Sequence, residues 1–173
     1  VDHVPKLVLL GGPPGVGKTT VLALLEKRLK HSAVLDADDV WRVSEDLKSE
    51  ENRPKALANV IAVMRGYCQA GCELAILSWV FARPELYEPV IDGLDDVVDS
   101  VNQVYLISTP DVLETRFRNR YIKSGNTFPV EPALDFSMSR LDLIEALPFQ
   151  KIDTSEISSP ATAEQVISLI NQK

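Results

Sequence analysis

The chain has little cysteine, few aromatic residues and no excess of positive charge. Cys68 and Cys72 are its only cysteines among 173 residues, which excludes a disulfide framework. They stand one helical turn apart if the helix continues, and Gly71 between them is expected to end it. No further ligands stand nearby, which argues against a metal site. Two reduced thiols are the expectation. No apolar run reaches the ~20 residues of a membrane span, and no secretory leader is visible at the start. A cytoplasmic protein with no membrane partner is therefore expected. Lys and Arg number 18 against 25 Asp and Glu, a formal charge of −7. Nucleic-acid binders present a basic face, so a nucleic-acid partner is disfavoured. No repeat, low-complexity tract or linker divides the chain, and residues 1–173 read as one domain. Apolar residues make up 45%, enough for a full core.

One segment stands out from this background. In Gly11-Gly12-Pro13-Pro14-Gly15-Val16-Gly17-Lys18-Thr19-Thr20, Gly12, Gly17, Lys18 and Thr19 fill the G-x-x-x-x-G-K-[ST] template of a phosphate-binding loop. The glycines allow tight turns that aim successive N–H groups at phosphate oxygens. The helix that follows adds its positive dipole end. Lys18 supplies a mobile cation for the β- and γ-phosphates, and the Thr19 hydroxyl suits Mg²⁺. The context agrees. Lys6 to Leu10 is a short apolar run, read as a buried strand, and Val21, Leu22, Leu25 and Leu29 then recur at helical spacing. The cofactor-binding set is Gly12, Pro13, Pro14, Gly15, Val16, Gly17, Lys18, Thr19 and Thr20, with ATP as the nucleotide.

The rest of the chain alternates in the same way. Strands are expected at Ser32–Asp36, Glu73–Ser78, Val101–Ile107 and Phe149–Asp153. Helices are expected from Trp41 to Leu47 (capped by Asp38 or Asp39), after Pro54, from Glu85 to Ile91, from Asp111 to Arg120, from Leu141 to Leu147, and after Pro160. A polar stretch, Lys123 to Pro132, separates two of them. Five strands alternating with helices imply an α/β three-layer sandwich, with a mostly parallel sheet covered by helices on both faces. Ligands of such sheets sit beyond the carboxyl ends of the strands, so the residues there carry the chemistry.

Asp36, Asp38 and Asp39 follow strand two. Such close carboxylates repel unless a cation or an acceptor hydroxyl offsets them. Asp36 could hold a metal-bound water, Asp38 could accept a hydroxyl proton, and Asp39 suits a helix cap. Turn and capping roles for all three stay open. Arg116 and Arg120 share a helix face that Arg118 does not, and glycine and prolines follow. That pattern suits a lid, about residues 116–132, closing over a triphosphate. A solvated basic helix face is the plainer alternative. Trp79, Phe81 and Arg83 after strand three suggest an acceptor pocket with an apolar wall and one cation, with Arg42 nearby. Trp79 and Phe81 could equally be core.

Together these residues resemble the small P-loop kinases: shikimate kinase, gluconate kinase, chloramphenicol phosphotransferase and their nucleotide-kinase relatives. The matching pieces are Gly12–Thr19, Leu35–Asp39, Thr109-Pro110-Asp111 with Leu113–Arg116, and Ile152–Ser155. The resemblance implies a metal role for Asp36 with Thr19, and an acceptor or base role for Asp38. It also implies a nucleotide contact for Arg116, a phosphate contact for Arg120, and an adenine-side loop at Asp153, Thr154 and Ser155. The chain departs from the pattern at strand three, which ends Leu77-Ser78-Trp79-Val80-Phe81 without an acidic residue or a glycine triplet. That argues against shikimate and leaves the metal to Thr19, Asp36 and water. The implied activity is transfer of a γ-phosphoryl group from ATP, with Mg²⁺, to a hydroxyl of a small molecule. Lys18, Asp38, Arg116 and Arg120 would be catalytic, with Asp38, Arg42, Trp79 and Arg83 at the acceptor. Nucleoside, nucleotide and toxin-like nucleotide-sugar kinases are the variants. A non-transferring ATPase or switch is disfavoured by the missing acid after strand three, a GTPase by the lack of an N-K-x-D segment, and the AAA+ group by chain length.

Overall fold

The computed structural model describes residues 4–125 and 129–171. Its centre is a five-stranded sheet in the order β2-β3-β1-β4-β5. The strands are β1 (Lys6–Gly11), β2 (Ser32–Asp36), β3 (Leu74–Trp79), β4 (Ser100–Ile107) and β5 (Gln150–Asp153). Every neighbouring pair is parallel, so the expected "mostly parallel" sheet is wholly parallel. Parallel neighbours need crossover connections, and the helices that supply them cover both faces. They are α1 (Lys18–Arg28), α2 (Arg53–Gln69), α3 (Pro84–Asp92), α4 (Pro110–Lys123), α5 (Glu131–Glu145) and α6 (Ser159–Asn171).

Strand alternation splits the core in two. Leu7 and Leu9 face one side, with Leu57, Val60 and Met64 of α2 and Val90 of α3. Val8 and Leu10 face the other, with Val21 and Leu25 of α1 and Val166 and Ile170 of α6. Because β1 is covered on both faces, Leu7 to Leu10 are all fully buried. This is why the run carries no polar alternation.

Two sequence expectations fail locally. No α-helix spans Trp41 to Leu47. Ala37–Val40 and Glu45–Leu47 are short 3-10 turns instead. The segment has no apolar stripe to bury, and its Asp and Ser side chains compete for backbone hydrogen bonds. The cap is neither Asp38 nor Asp39: the Asp36 carboxylate accepts the Asp38 N–H at 3.3 Å, and Asp39 pairs with Arg42 at 2.6 Å. The helix expected from Leu141 starts ten residues earlier, at Glu131, with Pro132 in its first turn. Proline is tolerated there because that N–H has no partner within the helix. The α2 end is as expected: Gly71 takes φ 90° just after Gln69. Cys68 is buried, Cys72 is half-buried, and both are unpaired thiols.

Candidate active site

The loop between β1 and α1 lies at the carboxyl edge of the sheet. Two of its glycines are there for stated reasons. A Cβ on Gly12 would lie 2.8 Å from the Leu106 carbonyl oxygen and from Val16 Cγ1, and Gly17 holds φ 110°. Lys18 opens α1, and its ammonium folds back to donate to the Gly12 and Pro13 carbonyls at 2.8 and 2.9 Å. Burial lowers the Lys18 pKa from 10.5 to about 8, with Asp36 and Asp38 pulling it up and Arg120 pushing it further down.

Around the loop lies a cleft of about 610 Å³. Lys18, Thr19, Asp36, Asp38, Arg116 and Arg120 line it. Asp36 comes from the end of β2, and Thr19 Oγ1 donates to its Oδ2 at 3.1 Å. Trp79, from the end of β3, donates its indole N–H to Asp38 Oδ1 at 3.0 Å. That contact fixes one oxygen of the carboxylate and leaves the other unconstrained by it. Arg116 reaches from α4 to the loop after β5, donating to Thr154 Oγ1 at 2.8 Å and to the Thr154 carbonyl at 2.6 Å. Asp153 turns away from the cleft to accept from the Ser155 N–H and hydroxyl, which hold its carboxyl below the usual range. Of the Asp153–Ser155 loop, Thr154 is the residue that lines the cleft. Arg118 pairs with Glu114 at 2.7 Å and Glu131 at 3.4 Å.

A second cleft of about 1240 Å³ adjoins the first and shares Pro14, Asp38, Trp79 and Val80 with it. Arg42 lines it, salt-bridged to Asp39. Trp41, Arg53, Phe136 and Arg140 also line it, and sequence reasoning missed all four. Arg53 and Arg140 belong to no motif, and the sequence pattern marks a helix only from Leu141, past both Phe136 and Arg140. Arg83 is exposed at the start of α3 and lies outside both linings. Phe81 is fully buried in the core, whereas half-buried Trp79 touches it edge-on at 6.1 Å and reaches the site. Ser78 occupies the position where an acidic residue would be expected. It is fully buried, opposite Asp36 in the β2 register, and its hydroxyl has no partner. The helix α5 is tied to the loop by Ser137, which is fully buried and donates to the Pro14 carbonyl at 2.6 Å.

The donors fit a magnesium ion that arrives with a nucleotide. Thr19 and Asp36 offer two hard oxygens, and Mg²⁺ keeps several waters and phosphate oxygens besides. Among the described residues no group of three His, Cys, Asp or Glu could hold a metal, so a resident metal centre has no support.

The fold and the cradle define a P-loop domain. The AAA domain family matches residues 8–128, and the chain belongs to that family. The expectation that length sets it apart from AAA proteins is thereby overturned: the matched region fits within this short chain. No curated protein matches the sequence. Among solved structures, the Deinococcus radiodurans tunicamycin resistance protein is similar at TM-score 0.69 and 21% identity, over 98% of this chain and 97% of that one. A Sinorhizobium meliloti gluconokinase gives 0.67 and 14%, over 96% and 91%. The Mycobacterium tuberculosis APS kinase, solved with AMPPNP and APS, gives 0.63 and 18%, over 97% and 98%. The shared architecture is the α/β P-loop fold expected from the sequence. No helix among the described residues is long and apolar enough to cross a membrane.

The lowered Lys18 pKa predicts that nucleotide binding depends on pH. Polyphosphate beside the ammonium favours its charged form, so binding raises a pKa that starts near 8. At pH 7 the amine is already mostly protonated, and little proton should be taken up. At pH 9 it is about nine-tenths neutral, and MgATP binding should take up close to one proton. Calorimetry in buffers of different ionisation enthalpy measures this directly. Uptake that does not grow between pH 7 and 9 would contradict the assignment.

Proposed function

We propose that the chain is an ATP-dependent phosphotransferase acting on a hydroxyl of a small molecule. The observation that carries this is the position of Asp38. Its carboxylate lies on the wall shared by the phosphate cleft and the second cleft, steadied by Trp79. A base between a triphosphate and an open cavity suits transfer to a second molecule better than hydrolysis alone.

In the proposed reaction the acceptor hydroxyl gives its proton to Asp38. The acceptor oxygen forms a bond to the γ-phosphorus as the bond to the β–γ bridging oxygen breaks, and ADP leaves with that electron pair. Lys18 releases its two backbone carbonyls and turns to the β- and γ-phosphates. Arg120, beside Lys18 in the cleft, offsets charge on the moving group. Arg116 braces the nucleotide side through Thr154. Bound Mg²⁺, held on the protein side by Thr19 and Asp36, supplies charge neutralisation on the phosphates. The segment at about 116–132 serves as the lid; its residues 126–128 lie outside the described residues. The acceptor is met by Asp38, Trp79 and Arg42.

The neighbours support the class without naming the acceptor: one is a gluconokinase, and another is an APS kinase solved with AMPPNP and APS. ATP turnover with and without a panel of hydroxylated small molecules tests the reading. A true acceptor should raise ADP release at least ~10²-fold, because proton transfer and positioning then both operate. A fast acceptor-free rate that no compound changes would favour a non-transferring ATPase or switch.

A further inference from the structure

Among the described residues, the second cleft holds a guanidinium with no ion pair of its own. Arg140 projects from α5 and is half-buried, its Cζ 4.2 Å from the Phe136 ring centroid. Its hydrogen bond to Ser139 Oγ spans 3.5 Å, the limit of such a contact. Two other arginines of the cleft have carboxylates: Arg42 has Asp39 and Arg53 has Glu50. Around Arg140 like charges outweigh the one carboxylate, Glu50, which is itself paired with Arg53. Burial, then Arg83, then Arg53 push its pKa below the ordinary value, with Glu50 opposing. A partly desolvated cation beside like charges is unfavourable unless an anion completes the set.

The guanidinium is also rigidly presented. The Phe136 face holds it from one side. One turn earlier on the same helix, buried Ser137 bonds the phosphate loop at Pro14. A planar fork fixed in this way suits two-point capture of carboxylate, phosphate or sulfate.

We propose that the acceptor is an anion, a hydroxylated compound whose charged group is held by Arg140 in the cleft where Asp38 meets its hydroxyl. The anion seat is argued from the cleft itself; only the hydroxyl at Asp38 rests on the phosphotransferase reading. A neutral alcohol of the same shape would leave the Arg140 charge uncompensated and be rejected for that reason.

The chain carries its own reporter. Its two tryptophans, Trp41 and Trp79, both line this cleft. The full chain, saturated with MgADP so that the phosphate loop is filled, is titrated with inorganic phosphate, sulfate and citrate. Sodium chloride at matched ionic strength is the reference, and tryptophan emission is read. A saturable change with at least one of the three anions is expected and none with chloride. Arg140→Gln should weaken it at least ~10-fold and Arg140→Lys should recover most of it, as loss and return of a charge-assisted contact require. Glucose, gluconate and glucose 6-phosphate then separate carboxylate from phosphate as the preferred group. The proposal is overturned if no anion exceeds chloride in the wild-type chain, or if Arg140→Gln responds as the wild type does. Anion binding that depends on Arg140 without any γ-phosphoryl transfer would sink the phosphotransferase reading alone and leave the seat standing.

Discussion

Replacing Lys18 with alanine should lower acceptor-dependent turnover by at least ~10³-fold, the scale of losing a preorganised charge at the reacting phosphates. The same change should weaken MgATP binding strongly. The reasoning starts from the resting position of the side chain. Its ammonium donates to the Gly12 and Pro13 carbonyls at 2.8 and 2.9 Å, inside the turn that a triphosphate would occupy. Among the described residues no other lysine lines the phosphate cleft, so no neighbouring lysine is at hand to take its place. Arg120 is close enough to depress the Lys18 pKa, but it approaches from α4 rather than from within the loop. Steady-state kinetics and calorimetry on the variant, with the thermal midpoint as a check of folding, decide the matter. Turnover within threefold of wild type would remove the phosphate cradle from the mechanism.

Asp38→Asn should separate binding from chemistry. Asparagine keeps the shape of the side chain, and its Oδ1 can still accept the Trp79 indole N–H, now 3.0 Å from Asp38. What it loses is the negative charge and the ability to take a proton. Nucleotide affinity should therefore stay within about twofold or tighten slightly, since a carboxylate near the phosphates is gone. Transfer should fall by ~10²–10⁴-fold, the usual worth of a positioned general base. Single-turnover transfer alongside ATP titration reads both quantities. Near-normal transfer would move the base to Asp36 or to water.

The sequence exposed the parts of this molecule that are local. Strand β2 is found at Ser32–Asp36, as its apolar pattern indicates, and the remaining strands differ at their ends by a residue or so. Lys18 and Thr19, which open the helix after β1, meet the carboxylates after β2 because both strands deliver their carboxyl ends to the same edge of one parallel sheet, with β3 between them. What stayed hidden depends on distant packing. Arg53 and Arg140 are separated widely in the chain, and only the docking of α2 and α5 places them in one cleft. The bond from Arg116 to Thr154 spans 38 residues and has no local signal. Trp41 is concealed differently: a candidate cap at Asp38 or Asp39 suggests a helix there, although the segment has no apolar face to bury.

Part of the wall of the second cleft is built from side chains that the core does not need. Phe136 is 47% exposed, Trp41 and Arg140 are half-buried, and none of the three belongs to either set of fully buried residues behind the sheet. The loop that would grip the nucleotide, by contrast, is braced by Leu106, Val16 and Ser137. The two meet in α5, which offers Ser137 to the loop and Phe136 and Arg140 to the cleft. On the proposed reading, substitutions at the exposed wall change the choice of acceptor while the closely packed phosphate loop keeps its shape.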